Sequence, residues 1–522
     1  MRELIVDSFA GGGGASTGIE MALGRSPDYA INHDAEALAM HAINHPDCVH
    51  LSKDIWQVCP FDVVGRRPVG LLWASPDCKH FSKAKGGKPR ERNIRDLAWV
   101  VVRWAEEVRP RVIILENVEE FRTWGPLYED GTPIRELAGH TFEHWLKRLR
   151  TAGYKAEWRE LRACDHGAPT IRKRFFLIAR RDGRKICWSK PTHGAPDDPA
   201  VLAGRKKPWR TAAEIIDFSL PCPSIFMSRE EAKAFHAATG IRVNRPLAEN
   251  TMARIARGVQ RYVIEAAEPF VVKNMTNNTA RRVDAPVSTV LTGNHHMLVT
   301  PFVSYAQQGG ASRAADAPLH TVTASAKDAN QVVAVFLAQH NGGMTGHGAG
   351  EPVSTITQRG ANQALVTAEM VSAGLRGAMQ EARRSISPTG THRDQVRAFL
   401  IKYFGTAVGQ ELSEPLHTAT AKPRFGLVTI EGAEHEIVDI GMRMLTPREL
   451  FRAQGFPDSY VIDRGLFRDA GGGAEERPLT ATAAIRMCGN AVPPPPAGAL
   501  VAANCADMAV KKEGAAEEEV AA

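Results

Sequence analysis

Cysteine is scarce in this 522-residue chain: it has eight, none in a Cys-x-x-Cys pair and none grouped with histidine at zinc-finger spacing. So few thiols exclude a disulfide-built scaffold, suit a reducing compartment and argue against a structural metal site. Long apolar runs are missing too. No stretch reaches the roughly 18 residues of a membrane helix, and the opening Met1-Arg2-Glu3-Leu4-Ile5-Val6-Asp7 starts directly as a strand, without a signal-peptide pattern. The expectation is a soluble, cytoplasmic protein with no membrane partner and no metal. The spaced G-x-G-x-x-G of dinucleotide-binding turns is also absent, although a denser glycine run stands where such a turn would be.

The length exceeds what one ordinary core serves and predicts two or three domains. With 43% apolar and 24% charged residues the composition is globular, and a net charge of +7 leans toward a polyanionic partner. Leu4-Ile5-Val6 reads as a buried strand, Asp7 to Gly14 as a glycine turn and Ala15 to Leu23 as a helix, the first half of a nucleotide-binding βαβ unit. A second strand, Tyr29 to Ile31, ends in Asn32-His33-Asp34 and leads to a helix from Ala35 to Asn44. A third unit ends at Lys53-Asp54-Ile55.

The fourth strand, Leu71-Leu72-Trp73-Ala74, runs into Ser75-Pro76-Asp77-Cys78, and the fifth, Arg111 to Leu115, ends in Glu116-Asn117-Val118. Ile94 to Val108 and Phe142 to Thr151 have helical periodicity, and Tyr154 to Leu161 reads as a strand. Strands alternating with helices predict an α/β fold, a doubly wound parallel sheet with ligands at the carboxyl ends of its strands. Cys78 and Glu116 both fall at such ends. The basic run Lys79, Lys83, Lys85, Lys88, Arg90, Arg92 and Arg95 would favour a Cys78 thiolate and attract phosphates. Arg172-Lys173-Arg174 enters the strand Phe175 to Ala179 and should face a cleft or solvent, with phosphate as a partner.

From about Lys190 glycine, proline and threonine rise, and a short pattern recurs: Asp284-x-Pro286-x-x-Thr289, Asp316-x-Pro318-x-x-Thr321, Glu351-Pro352-x-x-Thr355 and Glu414-Pro415-x-x-Thr418. Each reads as a turn feeding a strand, so the region is an internally repeated β-rich module. Pro301 to Tyr305 and Val335 to Ala338 are candidate partner strands, and Ala368 to Arg384 reads as a helical insertion. Thr446 and Pro447 start a helix, Ala497 to Met508 forms another, and the acidic tail from Lys511 reads as disordered.

Taken in order, Phe9-x-Gly11-x-Gly13-Gly14, Ser75-Pro76-Asp77-Cys78, Glu116-Asn117-Val118, Arg172-x-Arg174, Gln454-Gly455-Phe456-Pro457 and Gly489-Asn490-Ala491-Val492-Pro493 resemble the DNA (cytosine-5) methyltransferase family, most of all its phage and prophage branch. The resemblance covers roughly residues 1–190 and 438–508. It implies a Rossmann-like S-adenosylmethionine-dependent catalytic domain in residues 1–190 and 438–508, an inserted target-recognition domain in 191–437 and a disordered tail in 509–522. Cys78 would be the nucleophile on cytosine C6 and Glu116 the acid at the base's N3 and amino edge. Arg172 and Arg174 would contact cytosine O2 and a phosphate. Phe9, Gly11, Gly13, Asn32, His33, Asp54, Ile55, Pro76, Asn490 and Val492 would hold S-adenosyl-L-methionine, and Lys79, Ser82, Lys83, Lys85 and Arg90 would meet DNA. The partner is double-stranded DNA with a flipped base; a companion restriction endonuclease and solitary action both stay open, and the chain is expected to act as a monomer.

Four positions depart from the family pattern: Asp77 and Lys79 stand where proline and glutamine are usual, Asn32 where the ribose-binding acid is, and Thr170 where the arginine motif begins with glutamine. An RNA cytosine-5 methyltransferase and a catalytically silent DNA-binding protein are the alternatives on the same scaffold.

Overall fold

A computed structural model describes residues 2–76, 96–129, 132–215, 217, 220–241, 243–249, 251–252, 255–256, 440–469 and 471–510, and only backbone strands between 257 and 439. The chain divides into two compact units, one of Met1–Ala168, Arg172–Gly194 and Gln454–Ala522, the other of Pro169–Ile171 and Ala195–Ala453.

The first unit is built on seven strands: β1 Leu4–Ser8, β2 Tyr29–Asn32, β3 Val49–Ser52, β4 Val69–Ala74, β5 Val112–Asn117, β6 Lys155–Arg162 and β7 Lys173–Arg180. Their order across the sheet is β3-β2-β1-β4-β5-β7-β6. Alternate residues serve opposite faces, as the period of a strand requires. Val6, Leu72, Ile113 and Leu115 join one apolar cluster with Trp104, Phe121 and Trp145, while Ile5, Leu71, Trp73, Val112 and Ile114 join another with Ile19, Leu500 and Val501. Both faces are therefore covered, which explains why these strands read as unbroken apolar runs.

The sheet differs from the expected all-parallel one in a single strand. β7 runs antiparallel to both β5 and β6 and is inserted between them. Tyr154, expected to open β6, lies before it and donates from its hydroxyl to Pro110 O at 2.6 Å. Helix α1 spans Gly14–Leu23 and α2 spans Ala35–Asn44, the latter capped by Asp34, whose side chain accepts from Glu36 N and Ala37 N. The segment expected as one helix from Ile94 is described from a 3₁₀ turn, Asp96–Ala98, followed by the helix Trp99–Glu107. The helix expected at Ala497 already begins at Pro494, since proline fits a first turn that has no use for its missing N–H. It is sewn to the earlier part of the unit by Asn504, whose side chain accepts from Cys187 N at 3.0 Å and donates to Cys187 O at 2.7 Å.

The second unit carries an antiparallel sheet that includes Phe270–Met275, His296–Val299, Asn330–Gln339, Gln363–Ser372, Ala433–Met444 and Leu427–Ile430, hydrogen-bonded in that order. Both candidate partner segments are in strands: Pro301–Tyr305 pairs with the first half of Asn330–Gln339, from Pro301↔Ala334 to Tyr305↔Asn330, while Val335 to Ala338 in the second half face Gln363–Ser372. The helix expected from Ala368 is overturned at its start, because Ala368 to Ser372 belong to a strand facing Ala433–Met444. The four acid-proline-threonine repeats and the tail from Lys511 lie outside the described residues. Helix Pro447–Gln454 starts as expected, with Thr446 and Glu449 bonded reciprocally. Glu449, fully buried, also accepts two bonds from the Arg443 guanidinium at 2.8 and 2.9 Å.

Candidate active site

The carboxyl ends of β3, β2, β1, β4 and β5 lie side by side in the sheet, and each carries residues singled out in the sequence. After β1 the chain turns sharply: Phe9 has φ 64°, a left-handed conformation that costs a non-glycine residue of order 1–3 kcal/mol and clusters at functional sites. Gly13 follows with φ 87°, where a Cβ would come within 2.0 Å of Tyr460 Oη. At Gly14 a Cβ would lie 2.1 Å from the carbonyl oxygen of Val492. A Cβ at Gly11, by contrast, would meet nothing within 4 Å, so that side of the turn is open. Helix α1 begins here without a side-chain cap and without an acid in its first turn.

Sequence reading missed the brace of this turn. Tyr460 donates from its hydroxyl to Gly12 O at 2.6 Å, and nothing in a lone tyrosine more than 400 residues away announces that contact. Tyr460→Phe is expected to lower stability by about 1 kcal/mol, the net value of one buried hydrogen bond, measurable as a shift in the urea midpoint at unchanged slope.

Asn32 is engaged in protein contacts, its Nδ2 donating to Ala10 O at 2.8 Å and its Oδ1 accepting from Asp34 N at 3.0 Å. The amide that stands in place of an acid thus ties β2 to the glycine turn. His33 is exposed at the same strand end, and Asp54 is exposed while its Oδ1 caps a 3₁₀ turn through Trp56 N at 2.9 Å. Ile55 is buried in the core under β1, Val492 is buried against Gly14, and Asn490 is exposed at the end of the helix Ala481–Asn490.

Glu116 ends β5 and is 7% exposed. Arg174 Nε lies 3.3 Å from its Oε1, and Arg172 is buried as well. Burial raises the Glu116 pKa above the ordinary carboxylate range, and the two arginines, Arg174 more than Arg172, oppose the rise. Lys173, between them, pairs instead with Glu119 and Glu160. The expected cationic cluster is therefore split: two arginines serve Glu116, and the lysine serves two other acids. Asn117, next to Glu116, donates from Nδ2 to Pro76 O at 3.1 Å, fixing the point from which the chain enters the Cys78 segment. Cys78, Lys79, Ser82, Lys83, Lys85 and Arg90 themselves lie outside the described residues.

A doubly wound α/β domain with a braced glycine turn and a buried carboxyl–arginine set at its strand ends defines a Rossmann-like scaffold. The chain belongs to the C-5 cytosine-specific DNA methylase family, whose model matches residues 4–218 and 382–504. Type II methyltransferase M.AgeI of Thalassovita gelatinovora is 32% identical over 194 residues, covering 36% of this chain and 42% of that protein. Type II methyltransferase M.NaeI of Lentzea aerocolonigenes is 32% identical over 194 residues, covering 37% and 44%. The chain thus spans less than half the length of these curated relatives. Among solved structures, S. pombe Dnmt2 methyltransferase aligns with a TM-score of 0.43 at 12% identity over 96% of this chain and 97% of that one.

Proposed function

We propose that this protein transfers a methyl group from S-adenosyl-L-methionine to C5 of cytosine in double-stranded DNA, at a specific sequence. The observation that carries the proposal is the buried Glu116, raised in pKa and flanked by Arg172 and Arg174, on a strand end tied through Asn117 to the entrance of the Cys78 segment. Family membership supplies the reaction class.

The residues at the glycine turn fit the cofactor. Gly11 leaves space for it, and the uncapped N-terminus of α1 offers backbone N–H groups to a carboxylate. When bound, S-adenosylmethionine supplies a methyl group on a sulfonium, an electrophile that unactivated cytosine C5 attacks poorly. Cys78 corrects that by adding its thiolate to C6, which makes C5 nucleophilic. Glu116 in its acid form donates to N3 and so stabilises charge developing on the base. Arg172 and Arg174 hold cytosine O2 and a backbone phosphate, and loss of the C5 proton then releases the cysteine.

For this chemistry the target base must leave the duplex, at a cost of a few kcal/mol. The basic segment with Lys79, Ser82, Lys83, Lys85 and Arg90 closes behind it. The second unit, with Ala195–Ala453, reads the target, and the stretch from Gln454 completes the catalytic domain; the boundary expected at 437/438 falls inside the strand Ala433–Met444. Since the relatives are named type II methyltransferases, we extend the restriction-modification setting to this chain, with a companion endonuclease for the same site in the cytoplasm.

Bisulfite sequencing of plasmid DNA from cells expressing the protein tests the proposal. Cytosines protected in one fixed sequence context are expected. Soluble protein with no protected cytosine, or cofactor methyl groups entering tRNA and not duplex DNA, would sink it.

A further inference from the structure

Three ligand atoms converge in the first unit that methyl transfer does not use. His41 on α2, Cys48 in the turn after it and His50 on β3 each offer one, all within 4.8 Å of one another. His41 and Cys48 are buried and His50 is half-buried. The local spacing, six residues and then one, matches no zinc-finger pattern, so the sequence predicted no metal. It is the reversal of the chain from α2 into β3 that brings the three together.

A second observation points the same way. His41 Nε2 lies 2.8 Å from Ser16 Oγ, and Ser16 donates its one proton to Asp7 Oδ2 at 2.7 Å. With Ser16 donating to Asp7, its Oγ accepts the Nε2 proton of His41, which leaves the Nδ1 lone pair facing His50 Nε2, 2.8 Å away. A carboxylate–hydroxyl–imidazole chain of this kind is how proteins fix the tautomer of a metal-binding histidine. The neighbouring His45 is occupied elsewhere, by Glu20 at 2.9 Å and Ser26 at 3.3 Å.

We propose that His41 Nδ1, Cys48 Sγ and His50 Nε2 bind one zinc ion, with solvent as the fourth ligand. One thiolate and two imidazoles suit a borderline-soft, tetrahedral cation rather than magnesium or calcium, which take oxygen ligands. On binding, the Cys48 thiol proton leaves to solvent, and His50 moves its ring proton from Nε2 to Nδ1. The ion lashes α2 to β3 and, through Ser16 and Asp7, to the strand that carries the glycine turn. It is a structural site under the cofactor turn.

The full-length protein, equilibrated with zinc and freed of loosely held metal by gel filtration, is expected to retain one zinc per chain. Cobalt in its place should show a sulfur-to-cobalt charge-transfer band and tetrahedral visible absorption. Cys48→Ser and His50→Ala should each lose the zinc and the band, and Ser16→Ala should weaken binding by about 10–100-fold. No retained zinc, or a wild-type cobalt complex without the charge-transfer band, overturns the proposal with no variant needed. Folded Cys48→Ser and His50→Ala proteins that keep the metal overturn it equally.

Discussion

Cys78→Ala is expected to reduce cytosine methylation below detection while leaving the fold and the binding of S-adenosylmethionine intact. The argument is chemical: without addition at C6 there is no enamine-like carbon at C5, and a nucleophile removed outright leaves only positioning and electrostatics. The structural environment tells why the loss should be confined to chemistry. Pro76 O is held by Asn117, and Ser75 N donates to Ser8 O at 3.2 Å, so the strand end that delivers the segment is fixed by partners other than the cysteine. The measurement is tritium transfer from labelled cofactor into duplex DNA, with calorimetric cofactor binding as the control. An active Cys78→Ala protein would remove the nucleophile from the mechanism, and the silent DNA-binding reading requires that the variant keep its full biological effect.

Glu116→Gln should cost about 10²–10⁴-fold in turnover, the range for a positioned general acid. The side chain keeps its size, so loss should fall on kcat rather than KM. The pH profile separates an acid from a spacer. Burial holds the Glu116 pKa above the ordinary carboxylate range, against the pull of Arg174 and Arg172. In the proposed mechanism its acid form is the donor, so wild-type turnover should be present below that raised pKa and fall as pH rises through it. Glutamine cannot titrate, and the variant should lack this alkaline limb. A limb that persists in Glu116→Gln would assign the proton to another group.

Much of the first unit was legible because the signals are local. Helix α2 runs over the predicted Ala35–Asn44; β1, β2 and β4 fall on the predicted strands with one or two residues added, and β5 is shifted, losing Arg111 and gaining Glu116 and Asn117. Apolar runs bounded by polar turns report burial on both faces of a sheet wherever they occur. Glu116 was found for the same reason: a polar residue ending such a run sits at a strand end. The error at β7 was equally physical. Lys173–Arg180 is as apolar in its centre as a parallel strand, and nothing in one strand's composition records the direction of its neighbours. The expected helix from Ala368 failed because Gln363–Ser372 lies in the middle of a sheet, between Asn330–Gln339 and Ala433–Met444, where pairing on both edges overrides local propensity.

Residue order was enough to recognise the family, and periodicity to put the glycine turn and Glu116 at strand ends, because an apolar run stops where its strand does. Which arginines serve Glu116 and which cation does not, how Asn32 is spent, and that Tyr460 braces Gly12 came from packing alone. So did the meeting of His41, Cys48 and His50. A motif is written along one dimension, whereas these contacts depend on the distance between side chains after the chain has turned back on itself, and that distance is settled by the whole fold at once.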